Sequence, residues 1–279
     1  MKTKGVLSLI LATIHDMARI KKILMPMDLS RQSRKLAECT QDLSILGATE
    51  VLVLHSLRPG VTIQDGEISI LEEMVKSLRE SGFNARFEVS AGLRPSKDII
   101  SHAETNAFDA IVIASSGKGK ATELLVGSTS KAVMRNSTLP VLVKRFRKTE
   151  SSVEEACVVT FSNVVVVVDS DQIDSAYIQK AATILDRNQM SKVNFFDIAN
   201  GRTWNWKEGY GLQEGMERGL KDLRKGEVHN SLMQAVNSLQ ATAVVLPRKG
   251  KGSMNWLLDR QRTEKSIHSS KASMLVIPE

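Results

Sequence analysis

The chain has 279 residues, of which 42% are hydrophobic and 25% charged, enough for two soluble globular domains of ordinary size or one large one. Aromatic residues make up only 4%, so the core must be built from Val, Ile, Leu, Met and Ala; this suits buried parallel strands covered by helices better than an aromatic-rich β-sandwich. The net charge of +7 is spread along the whole chain, without a long basic run or aromatic–basic interleaving, so no nucleic-acid partner is expected.

Residues 1–18 form an N-terminal extension. Lys2 and Lys4 precede an apolar stretch from Val6 to Ile14 that superficially resembles a signal peptide. The stretch is too short to span a bilayer and no small-x-small cleavage site follows it. Val6, Leu7, Ile10, Leu11, Ile14 and Met17 fall at helical spacing, which reads as a packed or partner-facing amphipathic helix. A start of translation at Met17 is the alternative, and no membrane association is expected.

Strands and helices then alternate. The apolar run from Lys22 to Asp28 is the first strand, and Ser30 opens a helix expected over residues 31–46, with Leu36, Ala37, Leu43 and Leu46 on its apolar side and Gly47 at its end. Residues 50–55 form the second strand, 68–81 a helix closed by Gly82, and 85–89 a third, more exposed strand. Pro95 to Asp98 starts the next helix, 109–113 is the fourth strand, a helix is expected over roughly 122–136, and 139–143 is the fifth strand. Strands separated by helices of this length imply a parallel sheet with right-handed crossovers.

The charged stretch from Arg145 to Glu155 reads as a linker, after which the pattern returns. The run from Asn163 to Asp169 repeats the first strand with its terminal Asp; a helix over 175–187, strands over 192–198 and 241–246, and a last strand at 274–277 follow. Gly250-Lys251-Gly252 repeats Gly117-Lys118-Gly119, and Leu257-Leu258 and Met274-Leu275-Val276 then fall without a gap on Leu124-Leu125 and Val141-Leu142-Val143. Repetition at half the chain length indicates duplication. Between residues 201 and 226, where Trp204, Trp206 and Tyr210 occur among glycines, no third strand can be placed.

Cys39 and Cys157 are the only cysteines. They have neither CxxC spacing nor a neighbouring His pair, so they read as reduced, buried thiols of a cytoplasmic protein, without zinc or a disulfide framework. The five histidines, His15, His55, His102, His229 and His268, stand far apart and suggest no metal cluster.

In an open parallel sheet, ligands bind beyond the carboxyl ends of the strands, where the strand order reverses. Pro26-Met27-Asp28, His55-Ser56 and the stretch Ala114 to Ser130 would meet there. Gly117 and Gly127 allow backbone to approach phosphate, and the hydroxyls of Ser128, Thr129 and Ser130 can bond its oxygens. The same residues also fit a plainer description, with Asp28 as a helix N-cap, the glycines as turn or packing residues, and the hydroxyls as a polar helix face.

The segments KKILMPMDLS, LVLH and ASSGKGKATELLVGSTSKAVMRNSTLPVLVKR, within residues 19–145, resemble the universal stress protein family; the last is similar to its G-x2-G-x9-G-S/T stretch followed by a PVLVV-like strand. The resemblance implies two tandem Rossmann-like α/β domains of the adenine nucleotide alpha hydrolase-like class, each with a mainly parallel five-stranded sheet. It places a nucleotide-binding domain at 19–148, a linker at 149–157 and a degenerate domain at 158–279. It further implies a bound adenine nucleotide, ATP or AMP, with Mg2+ carried on the phosphates. Pro26, Met27 and Asp28 would lie at the adenosine end, the Ser56 backbone would meet adenine, and Gly117, Gly127, Ser128, Thr129 and Ser130 would serve ribose and phosphates, with Ile113 and Ala114 completing the set. Ala114 stands where the family has its first glycine. In the second half Asp169 and Gly250 remain, but Pro247 replaces that glycine, and Arg260-Gln261 replaces Gly-Ser and should obstruct a pocket. The resemblance thus implies a stress-response regulatory protein whose second half is an intramolecular pseudo-dimer partner, with Val141–Val143 and Met274–Ile277 paired across a pseudo-two-fold axis. A further homodimer is compatible with it. A slow Mg-dependent ATPase and a nucleotide-free interaction scaffold are the alternatives, since the sequence offers no evident nucleophile, general base or Walker A lysine.

Overall fold

The computed structural model describes residues 20–115, 126–148, 155–169, 175–186, 192–198, 202–205, 225–248 and 272–278. Contacts divide the chain into two compact units, over residues 19–159 and 160–279, so the segment 155–159 groups with the first unit.

In the first unit the elements run β1 (Lys22–Met27), α1 (Arg31–Leu36), α2 (Thr40–Leu46), β2 (Glu50–Leu57), α3 (Asp65–Glu80), β3 (Asn84–Ala91), α4 (Pro95–Thr105), β4 (Ala110–Ala114), α5 (Ser128–Asn136) and β5 (Val141–Lys144). The sheet is parallel throughout, in the order β5-β4-β1-β2-β3. Its centre is fully apolar: Ile23, Leu24 and Met25 of β1, Val51 and Val53 of β2, and Ile111 and Val112 of β4 are at most 1% exposed. Strands covered on both faces cannot alternate polar and apolar residues, which is why each reads as an uninterrupted hydrophobic run. Only β3 alternates, as the exposed edge of this sheet.

The expected helix over 31–46 is two helices. The backbone leaves the helical region at Cys39, with φ −82° and ψ 47°. There the sulfur is bonded to Cys157, 118 residues further on, with a Cα–Cα distance of 5.4 Å. The expectation of reduced thiols is therefore corrected: the two cysteines form a disulfide. Gly47 closes α2 in the left-handed region at φ 88°, a conformation that glycine adopts without a Cβ penalty. The helix expected from about residue 122 begins, in its described part, at Ser128 with Gly127 as its N-cap.

The charged stretch after β5 is not a bare linker. Arg147–Lys148 (β6) and Glu155–Ala156 (β7) pair antiparallel, and residues 157–159 follow as a strap across the first unit. Lys144 at the end of β5 is 1% exposed; its ammonium donates to Asp42 Oδ2 on α2 and to the carbonyl of Val158 on the strap. Next to it, burial pushes the Arg145 guanidinium down to about 10, which still leaves it protonated at neutral pH. Because this folded value lies below the unfolded one, the charge opposes folding at neutral pH, and that cost fades as pH rises through 10.

The second unit repeats the strand order. β8 (Asn163–Val168), β9 (Lys192–Asp197), β11 (Ala243–Arg248) and β12 (Ser273–Pro278) form a parallel sheet ordered β12-β11-β8-β9. A fifth strand, β10 (Arg202–Asn205), pairs antiparallel with β9 in the region where the sequence offered no strand. The helices described here are α6 (Ser175–Asp186) and α7 (Lys225–Ser238). Among the described residues, no helix is long and apolar enough to cross a membrane. The 1–18 extension lies outside the described residues.

Removing Asp42 takes from the buried Lys144 ammonium the carboxylate to which it donates. Asp42→Ala is expected to lower stability by about 3–5 kcal/mol, and Asp42→Leu with Lys144→Met to restore most of that loss. Urea unfolding measures both; a loss below about 1 kcal/mol in Asp42→Ala would mean that the pair is hydrated.

Candidate functional site

The carboxyl edge of the first sheet has its reversal of strand order at β1, which pairs with β2 on one side and β4 on the other. The register Met27↔His55 brings the end of β1 level with that of β2, while Leu24↔Ile111 carries β4 to the same edge. This is the crevice position of a doubly wound sheet.

On the β1 side, Pro26 and Met27 are buried and Asp28 is half-buried. Asp28 Oδ1 accepts from the Ser30 amide at 3.0 Å, and Ser30, not Asp28, is the N-cap of α1, its hydroxyl accepting from the Ser33 amide at 3.2 Å. Between them Leu29 has φ 59°. A buried leucine in the left-handed region is strained, and such strain concentrates where function fixes the chain. It holds the Asp28 carboxylate at the sheet edge while turning the chain into α1.

On the β2 side, the His55 ring is buried and its Nδ1 donates to the Met27 carbonyl at 2.9 Å. A carbonyl can only accept, so Nδ1 carries a proton; Nε2 has no hydrogen-bond partner among the described residues. Sequence reasoning placed His55 at this edge but did not reveal its role in locking β1 to β2. Ser56 is half-buried, with its hydroxyl 2.9 Å from that of Ser90 on β3.

The β4 side is the most tightly defined. Ile113 and Ala114 are buried. The Ser115 amide donates to the Lys144 carbonyl at 2.9 Å, and the Gly127 amide donates to the Ser115 carbonyl at 2.6 Å. These bonds close the base of the loop, so the chain leaving β4 and the chain entering α5 meet. Ser130 is 5% exposed and its hydroxyl donates to the Ala114 carbonyl at 2.8 Å. Its proton is thus committed to the scaffold, whereas Ser128 is exposed and Thr129 half-buried. The N-terminus of α5 has no side-chain cap and no acidic residue in its first turn, so its amides and positive dipole end favour an anion. Gly117 lies outside the described residues. Ser128, Thr129 and Ser130 therefore sit with Ile113, Ala114 and Gly127 at one loop base, and Pro26, Met27, Asp28 and Ser56 lie along the same sheet edge.

The matching edge of the second unit is built differently. The Tyr177 side chain is 2% exposed, and its hydroxyl lies 2.9 Å from the Val167 carbonyl on β8 and 3.1 Å from the Val245 carbonyl on β11. The Tyr177 hydroxyl thus bridges carbonyls of the two strands that flank this unit's reversal. Pro247 lies within β11, and Gly250, Arg260 and Gln261 fall outside the described residues. Among the described residues, no group of three His, Cys, Asp or Glu side chains is placed to hold a metal ion.

A family model described as the universal stress protein family matches residues 19–145. A universal stress protein of Synechocystis is 30% identical over 136 residues, covering 48% of this chain and 46% of that protein. One of Methanocaldococcus jannaschii is 28% identical over 152 residues, covering 44% of this chain and 93% of that protein. The match thus spans less than half the length of the cyanobacterial relative and nearly all of the archaeal one. A solved universal stress protein of Archaeoglobus fulgidus superposes with a TM-score of 0.65 at 20% identity, covering 94% of this chain and 97% of that one, which shows the fold.

Ser130→Ala leaves the buried Ala114 carbonyl without its partner. The expected cost is about 1–3 kcal/mol in chemical denaturation, and an unchanged midpoint would show that the bond is replaced by water.

Proposed function

We propose, from the match of residues 19–145 to the universal stress protein family, that the chain is a member of that family and a stress-response regulatory protein that binds one adenine nucleotide, ATP or AMP, at the carboxyl edge of its first unit. The observation that carries this reading is the closed loop base between β4 and α5. It aims the N-terminus of α5, with Gly127 as its N-cap, along the edge that also holds Asp28. Amides of the first turn, with the hydroxyls of Ser128 and Thr129, take the phosphates. Asp28 and the backbone of Met27 and Ser56 take the adenosine end. Charge-assisted bonds of this kind contribute about 1.5–3 kcal/mol each, so a few suffice to hold a nucleotide. Mg2+ would be carried by the phosphates.

In this proposal the second unit is a degenerate copy, a tandem partner in an intramolecular pseudo-dimer, with Tyr177 in the space that a ligand would need. The protein is cytoplasmic, and it signals by occupancy rather than by turnover.

Calorimetric titration of nucleotide-free protein with MgATP, and separately with AMP, tests the reading. Saturation at about one nucleotide per chain is expected, with binding lost in Gly127→Arg, whose side chain fills the loop base. A stoichiometry of two would overturn the assignment of the second unit. No binding to folded protein would overturn the proposal and favour an interaction scaffold.

A further inference from the structure

We propose that the Cys39–Cys157 pair is a reversible thiol–disulfide modification site: oxidation fastens the strap 157–159 over the buried Lys144–Asp42 pair, and reduction releases it. The strap lies outside the five-stranded sheet, so it can leave without any strand of that sheet unpairing. Its attachments to the first unit include the disulfide, the Val158 carbonyl bond from Lys144, and the two-residue pairing of β6 with β7. With the strands intact, the freedom that opening restores is that of the short stretch between β5 and β8, which the bond to Cys39 pins at residue 157. Reduction therefore removes the covalent attachment of the strap and leaves the hydrogen-bonded ones.

The two sulfurs are unequal. Cys39 is 3% exposed, at the break between α1 and α2, whereas Cys157 is half-buried on the strap. An incoming thiolate of a dithiol reductant reaches Cys157 Sγ; the S–S bond breaks and Cys39 leaves as a thiolate that takes a proton. The second thiolate of the reductant then displaces Cys157, so the protein gains two electrons and two protons while the reductant becomes a disulfide. Oxidation reverses these steps, with a low-molecular-mass disulfide as acceptor. In a reducing compartment a disulfide of this kind is a signalling state, not a permanent staple.

The consequences run through Lys144. Its ammonium bonds to both the strap and α2, and its carbonyl receives the Ser115 amide at the loop base. Opening the strap admits water to a side chain that is 1% exposed, weakens its hold on Asp42, and loosens the strand end to which that loop is anchored. The last link, from loop base to ligand, rests on the nucleotide reading above; the earlier links do not.

The full chain is compared after oxidation with glutathione disulfide and after reduction with a dithiol, first without nucleotide. Reduction is expected to expose two reactive thiols, to speed amide exchange at 157–159 by at least roughly tenfold, to raise it at Ser115 and Gly127, and to lower the Tm by about 5–10 °C. Cys157→Ser should reproduce the reduced behaviour and ignore the dithiol. Equal exchange and Tm in both redox states would overturn the proposal. So would global unfolding on reduction, which would make the bond a structural staple. In the presence of MgATP, several-fold weaker binding by the reduced chain supports the last link, and equal saturable binding overturns it. Absence of any binding sinks the nucleotide reading while the exchange data still decide the clamp.

Discussion

Parallel pairing of β1 with β2 on one side and β4 on the other is the constraint on which the first unit depends. Right-handed crossovers that leave in opposite directions from a central strand place their helices on opposite faces of the sheet. The chain ends of β1 and β4 therefore diverge and cannot cover each other. Polar backbone at that edge must find partners other than a neighbouring strand. In this protein several are met by side chains: His55 serves the Met27 carbonyl, Ser130 the Ala114 carbonyl, and Asp28 the Ser30 amide. The first-turn amides of α5, whose N-cap Gly127 brings no side chain to them, are the part suited to a ligand.

The sheet was legible because burial on both faces writes itself into sequence as continuous Val, Ile and Leu. β1, β2, β4, β5, β8 and β11 are all such runs, and Asp28 could be placed at the end of the first by its position. Two kinds of feature were not legible. One is anything decided by a distant partner: the break at residues 37–39 is silent because Leu36, Leu43 and Leu46 keep helical spacing through it, and nothing near Cys39 points to Cys157. The other is polar burial. Lys144 falls just past the strand expected over 139–143, and Ser130 reads as one of three equivalent hydroxyls; only the fold shows the buried ion pair of the first and separates the scaffold bond of Ser130 from the exposed Ser128. β10 escaped because it is a four-residue strand amid glycines and pairs antiparallel, against the rule of its neighbours.

Lys144 also shows why a charge can be kept inside the first unit. An ammonium that is 1% exposed loses its hydration, and one carboxylate cannot satisfy all three of its protons. The Val158 carbonyl supplies a second acceptor, so the strap is part of the solvation of that charge. An apolar residue at 144 would need no strap. The lysine thus couples three separated stretches of chain, α2, β5 and residues 157–159, in a way that hydrophobic packing alone, being non-directional, does not.

The two units place different residues at the same topological position, and the difference follows from side-chain size. In the first, the helix after β1 carries no aromatic residue, and Ser33 turns its small hydroxyl back to the Ser30 carbonyl at 3.1 Å within its own turn. In the second, α6 sends the Tyr177 ring to the strands, where its hydroxyl takes up the Val167 and Val245 carbonyls. Those carbonyls flank the reversal between β8 and β11, so the second unit satisfies its own crevice from within. A buried aromatic side chain with its polar tip satisfied gains from burial without leaving an unmet group. Pro247 in β11 brings no backbone N–H to that same edge.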